Sequence, residues 1–194
     1  MMNFYLTGES GKEGLMKIIL FSLLLLIPLF GLAQTGPCYF FNSSSNNSYD
    51  TLTGGTEITF FSDIGLPLDE GLSNNLPIGF TFEYNFQPYD SFKVSTNGFL
   101  TLDKNLEWDY FDVDYFESEV RNRIIAPFWD DLEFNDGAKI RYQLIGSAPN
   151  RKLIIEFFNL TFFAGGNFQF KFQVWLFEGT NEIEFRYGDD GSDN

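Results

Sequence analysis

Alternation of apolar and polar side chains is the feature that most constrains the fold of this chain. Residues 168–176 read Phe-Gln-Phe-Lys-Phe-Gln-Val-Trp-Leu, and residues 182–187 read Glu-Ile-Glu-Phe-Arg-Tyr. The same period of two recurs over 78–84 and 140–144. Because successive side chains of an extended strand point to opposite faces, the pattern predicts half-buried antiparallel strands. Gly179–Asn181 is then a hairpin connection between the last two strands.

One segment departs from this alternation. Residues 152–162 are apolar on both faces, which predicts a central strand that is covered on each side. The fold class is therefore all-β, an antiparallel β-sandwich of two layers. The chain has 25 phenylalanines, mostly on the apolar phase of a strand, and this distribution favours core packing. The alternative is that some of these rings form exposed platforms for sugars.

The N-terminal residues resemble an export signal. Met16-Lys17 precedes the apolar run Ile18–Phe30, and Gly31-Leu32-Ala33 supplies a small-x-small cleavage motif. Either Met1 or Met16 is the true start. The apolar run is short for a transmembrane helix, so no membrane span is expected after signal removal.

The mature chain is long enough for one domain. The expected organisation is a leader and signal peptide over 1–34, a flexible polar arm over 35–56, a β-sandwich over 57–188, and an acidic tail or truncated linker over 189–194.

Composition excludes several kinds of chemistry. The chain has no histidine and only one cysteine, Cys38, so it lacks Ser-His-Asp and Cys-His catalytic systems, intrachain disulfides and nearly every zinc site. Its formal net charge of -15 repels nucleic acid and anionic lipid surfaces. Calcium, which takes oxygen ligands, remains chemically possible.

The segment Pro127-Phe-Trp-Asp-Asp131 carries the candidate site. Trp129 beside Asp130 and Asp131 is suited to sugar binding, and Asp130, Asp131 and Asp136 form an oxygen-rich turn suited to calcium. The alternative is structural, with Trp129 packed in the sandwich and the two aspartates bonded to nearby backbone amides. The preceding Arg121 and Arg123 are candidates to pair with these acids across a strand.

Several segments together resemble the nidogen-like extracellular domain and its bacterial relatives in secreted surface proteins of the type IX secretion kind. In family order, the matching segments are Leu76–Phe82, Phe92–Leu102, Ile124–Leu132, Phe170–Phe177 and Ile183–Gly188. The resemblance covers roughly residues 57–188. It implies a secreted or bacterial cell-surface β-sandwich of adhesion or matrix type, with no known catalytic role.

The expected function is therefore a non-enzymatic module that contacts an extracellular protein or glycan, with no resident cofactor. One alternative is an accessory domain of a larger secreted hydrolase. Another is a small glycosidase that uses two carboxylates, although among 27 acidic residues no spacing singles out such a pair.

Overall fold

The structure is a computed structural model that describes residues 39–44, 48–61, 68–107, 123–163 and 168–188. The predicted signal peptide, Cys38 and the acidic segment 189–194 lie outside these ranges. The strands all belong to one compact unit, Asn42–Asn194. Within the described ranges, no helix has the length and apolarity needed to cross a membrane.

The described residues form eleven strands and no helix. The strands are β1 Thr56–Glu57, β2 Phe60–Phe61, β3 Leu72–Ser73, β4 Leu76–Tyr84, β5 Gln87–Val94, β6 Leu100–Thr101, β7 Ile124–Ile125, β8 Leu132–Ile145, β9 Lys152–Phe162, β10 Phe170–Phe177 and β11 Ile183–Tyr187. All pairings are antiparallel. One layer is a five-stranded sheet in the order β1-β8-β9-β10-β11, and the other contains the four-stranded sheet β4-β5-β6-β7. The predicted antiparallel two-layer β-sandwich is confirmed.

Strand β9 is the centre of the five-stranded sheet, as its apolar composition predicts. Its neighbours pair with it in regular register except at Asn159, where both pairings shift. Asn159 has a φ of +58°, a conformation that asparagine tolerates better than most residues. Alternation from Leu153 and Ile155 places Phe157 in the core and Phe158 on the outer face, and the bulge returns Leu160 to the core side. The predicted hairpin at Gly179–Asn181 is also confirmed, since it joins β10 to β11.

The core lies between the two layers. Leu153, Ile155 and Phe157 of β9 are fully buried. They face Phe82 of β4 and Phe92 of β5, which are equally inaccessible to water. Phe157 stacks on Phe172 with ring centroids 4.4 Å apart. Most of the phenylalanines of the strands therefore pack in the interior, although Phe163 and Phe168 remain about half exposed.

The outer face of the five-stranded sheet is crossed by the segment 48–55, here called the strap. The Tyr49 hydroxyl and the Leu52 amide both donate to Glu156 Oε1, at 3.0 and 2.9 Å. Gln173 Nε2 donates to the Asp50 carbonyl at 2.9 Å. The strap covers the middle of the sheet, so the side chains of Glu156 and Gln173 are buried although alternation places them outward.

Candidate functional site

The Asn-Gly turn and the Trp-Asp-Asp segment are interlocked by buried contacts. Asn97 Oδ1 accepts a hydrogen bond from the Leu132 amide at 2.9 Å. Gly98 lies against the carbonyl of Phe128, so close that a Cβ there would sit 1.7 Å from that oxygen. Phe99 packs on Trp129 with ring centroids 5.1 Å apart. The two sequence motifs are thus the two halves of one structural junction.

A third segment is attached to the same turn through Thr96. The Gly71 amide donates to Thr96 Oγ1 at 2.8 Å, and the Thr96 amide donates to the Gly71 carbonyl at 2.9 Å. Thr96 Oγ1 also bonds to the Asp69 carbonyl. Asn97 Nδ2 donates to Glu70 Oε2 at 3.1 Å. These bonds fix Asp69 and Glu70 beside the start of β8.

Three carboxylates meet at this junction and are called the acidic trio: Asp69, Glu70 and Asp131. One carboxylate oxygen from each lies within 4.8 Å of the other two. Each side chain is partly buried, and Asp69 Oδ1 is inaccessible and has no hydrogen-bond partner among the described residues. The trio therefore concentrates negative charge that the described residues neutralise only in part.

Burial and repulsion from nearby carboxylates raise the pKa of all three carboxyl groups. Desolvation is the largest cause in each case. Glu133 raises the pKa of Asp69, while Asp69 and Asp131 raise that of Glu70. Repulsion at Asp131 comes from Asp69 first, then from Asp130 and Glu133. Such a group of oxygens either binds protons more readily than ordinary carboxylates or holds a hard cation such as calcium.

The predicted site residues are only partly brought together. Trp129 is partly buried against Phe99, as the structural alternative expects. Asp130 is exposed, and its Oδ1 accepts the Asp131 amide at 2.8 Å. Asp131 alone joins the acidic trio. Asp136 belongs to β8, but its side chain lies outside the described part of the structure.

Calcium binding and sugar binding at these residues stay predictions. The predicted pairing is wrong for Arg123, because Arg123 Nη1 bonds to Asp103 Oδ2 at 2.9 Å. Arg121 lies outside the described residues.

Sequence reasoning did not identify Asp69 and Glu70. They precede Gly71 in an irregular stretch that has no strand period and lies about sixty residues before Asp131. Only the long-range bonds of Thr96 and Asn97 bring the two segments together. A contact between two distant segments cannot be predicted from a motif that lies within one of them.

Apolar side chains border the acidic trio. Leu68 is 56% exposed, and its carbonyl accepts the Phe134 amide at 3.1 Å. Phe163 is 51% exposed, and its amide donates to the Asp131 carbonyl at 2.9 Å. An open groove of about 1020 Å³ adjoins Leu68, with Phe60, Phe134 and Gln169 among its lining residues. This end of the sandwich therefore presents apolar surface next to carboxylates.

Comparisons with known proteins place the chain in a family. The family described as NIDO related matches residues 38–194, which is most of the chain. Comparison with curated proteins and with solved structures gives no match. The match spans the whole β-sandwich. It includes both the Asn-Gly turn and the Trp-Asp-Asp segment that packs against this turn. The chain belongs to the nidogen-related family.

Proposed function

We propose that this protein is a secreted or cell-surface, non-enzymatic module that contacts an extracellular protein or glycan. The contact surface is the end of the sandwich that carries the acidic trio. Membership of the nidogen-related family supports an extracellular location. In this proposal a rigid scaffold presents loop residues to the partner, as is common for β-sandwich domains.

The exposure of Leu68 and Phe163 beside the acidic trio is the observation that carries this proposal. Large apolar side chains that remain half exposed at the rim of a core are suited to intermolecular contact. Asn97, Gly98 and Phe99 are in contrast engaged within the fold. Their role is to hold the surface in place, while the exposed residues make the contact.

The test is binding of the purified protein to immobilised extracellular matrix proteins and polysaccharides, measured by biolayer interferometry. The double variant Leu68→Ser, Phe163→Ser is expected to weaken binding at least tenfold. Phe86→Ser is the matched control, because Phe86 is 53% exposed but lies at the opposite end of β5 from the Asn-Gly turn. Equal losses in both variants, or no binding to any member of the panel, would contradict the proposal.

One observation favours the glycosidase alternative. Glycosidases need a carboxyl with a raised pKa near a second carboxylate. The acidic trio offers raised pKa values and oxygens within 4.8 Å of one another. Turnover of any glycan that disappears in Asp131→Asn would establish this alternative, whereas absence of turnover across a broad panel supports the non-enzymatic module. The accessory-domain alternative is tested by the reading frame downstream of Asn194.

A further inference from the structure

Cationic side chains are concentrated on one face of this acidic protein. Nine of the twelve lysines and arginines lie in the described ranges, and five of these nine lie on the outer face of the five-stranded sheet. The five are Lys139, Arg141, Lys152, Lys171 and Arg186. Each sits at a position that alternates with a core residue of the same strand.

Three of these cations surround one aromatic ring. Lys139 Nζ, Arg141 Cζ and Lys171 Nζ lie 5.6, 5.9 and 5.5 Å from the ring centroid of Phe158. Register explains the arrangement, because Lys139 and Lys171 are the direct cross-strand partners of Phe158 on either side of β9. These four residues are called the basic cluster.

The other two cations are arranged differently. Lys152 Nζ lies 3.5 Å and Arg186 Cζ lies 3.6 Å from the ring centroid of Trp175. They come from the two strands that flank β10, and at this distance the cations are in direct contact with the ring. Trp175 is therefore already engaged within the fold. It serves as an internal comparison for the basic cluster, where the cations lie about 2 Å farther from the ring.

The charge of the basic cluster is only partly neutralised. Glu156 bonds to Arg141 at 2.6 Å. Neither Lys139 nor Lys171 forms an ion pair with any residue in the described ranges. Glu57 is the cross-strand partner of Arg141 on β1, and Asp50 of the strap binds the sheet through its backbone carbonyl, which accepts from Gln173. Two lysines beside a partly exposed ring thus remain available to a ligand.

We propose that the basic cluster binds an acidic polysaccharide, one whose pyranose rings carry uronate or sulfate groups. The ring of Phe158 matches the apolar C–H face of a pyranose, and Lys139 and Lys171 match its anionic substituent. A neutral glycan leaves the lysines without a partner, and an acidic peptide makes little use of the ring. This surface is separate from the loop end that carries the acidic trio.

The test measures binding of the purified protein to heparin and polygalacturonate, with dextran as the neutral polymer and polyglutamate as the acidic peptide. Wild type is expected to bind the two acidic glycans and neither dextran nor polyglutamate. Lys139→Gln with Lys171→Gln is expected to weaken glycan binding at least tenfold, and Phe158→Leu at least threefold. Lys152→Gln, which removes one lysine charge at the Trp175 stack on the same sheet face, is expected to change affinity less than twofold.

Retained binding in Lys139→Arg with Lys171→Arg would support a charge requirement at these positions. The proposal is overturned by an absence of glycan binding, by equal affinity for polyglutamate, or by a loss in Lys152→Gln as large as in the double variant. Circular dichroism of each variant verifies that the sandwich is folded. Loss of binding in Leu68→Ser, Phe163→Ser alone would instead place the glycan contact at the loop end.

Discussion

Gly98 is the residue on which the junction of the two motifs depends most. Its φ is +80°, and a Cβ would lie 1.7 Å from the Phe128 carbonyl oxygen, which belongs to the backbone and cannot rotate away. Gly98→Ala is therefore expected to reduce the free energy of unfolding by about 3 kcal/mol or more. Urea denaturation at pH 7 measures the change.

Gly137 provides the matched control for this prediction. It has nearly the same φ, +82°, but the nearest atom to an added Cβ is Asn159 Nδ2 at 4.0 Å. Gly137→Ala should cost only about 1 kcal/mol, the conformational part of the penalty. If both variants lost the same stability, the close approach of Gly98 to Phe128 would not be the cause.

Phe86 is a bulky residue at a position whose backbone conformation favours glycine. Asn85 and Phe86 have φ values of +51° and +60° and connect β4 to β5 as a two-residue hairpin turn. Such turns favour glycine at the second position, and Phe86 is 53% exposed, so it loses little packing on replacement. Phe86→Gly is expected to raise the free energy of unfolding by about 0.5–1 kcal/mol. A lower thermal melting temperature for this variant would contradict that reading.

At the scale of elements, the strap is the feature that alternation could not predict. The sequence period identified β4, β8, β9, β10 and β11 and placed β9 at the centre. This was possible because a strand buried on one face alternates apolar and polar residues, and a strand buried on both faces is apolar throughout. It could not show that a polar N-terminal segment covers Glu156 and Gln173. That contact joins residues more than a hundred positions apart, and a segment without period carries no signal of what it packs against.

Glu156 is the anchor of the strap. Its carboxylate, fully buried, accepts hydrogen bonds from Tyr49, Leu52, Gln173 and Arg141. Glu156→Gln removes the negative charge to which three neutral donors and the Arg141 guanidinium donate. We therefore expect the free energy of unfolding to fall by about 2–4 kcal/mol. Amide hydrogen exchange should accelerate at Leu52.

Glu184→Gln is the comparison variant for Glu156→Gln. Glu184 bonds to Arg186 on the same sheet face at 2.9 Å, but both side chains are partly exposed to solvent. Such a pair contributes about 0–1 kcal/mol. Arg186 also donates to the Ser48 carbonyl at the start of the strap, so the readout is exchange at Leu52, which should stay unchanged. Equal losses from the two substitutions would mean that burial of Glu156 is not what gives the anchor its strength.

For the whole molecule, the acidic trio and Glu178 predict opposite responses to pH. The trio has raised pKa values, so the folded state binds more protons than the unfolded state above the ordinary values of 3.8 and 4.5. Stability therefore falls as pH rises through this window. Arg151 lowers the pKa of Glu178 to about 2, and its contribution is present above pH 4.5 and lost as pH falls toward 2.

Calorimetry between pH 4.5 and pH 8 tests the contribution of the trio. Asp131→Asn should raise the melting temperature at pH 8 and flatten its decline with pH. Asp90→Asn removes the same charge from an exposed strand position and controls for the overall net charge of -15. If Asp90→Asn flattened the profile as much, general repulsion rather than the trio would govern the pH dependence.

If the trio binds calcium, this ion should reverse the effect of Asp131→Asn on stability, from stabilising to destabilising. Carboxylate oxygens within 4.8 Å of one another repel when bare, but they are the ligands that calcium prefers. A site with a dissociation constant of about 0.1–1 mM, the range typical of calcium-binding modules outside cells, would stabilise the wild type by roughly 1–2 kcal/mol at about 5 mM calcium. Asp131→Asn should then gain nothing from calcium and fall below the wild type in stability. An unchanged wild-type melting temperature in calcium, with magnesium as the comparison ion, would mean that the trio is a proton-binding cluster held together by the scaffold alone.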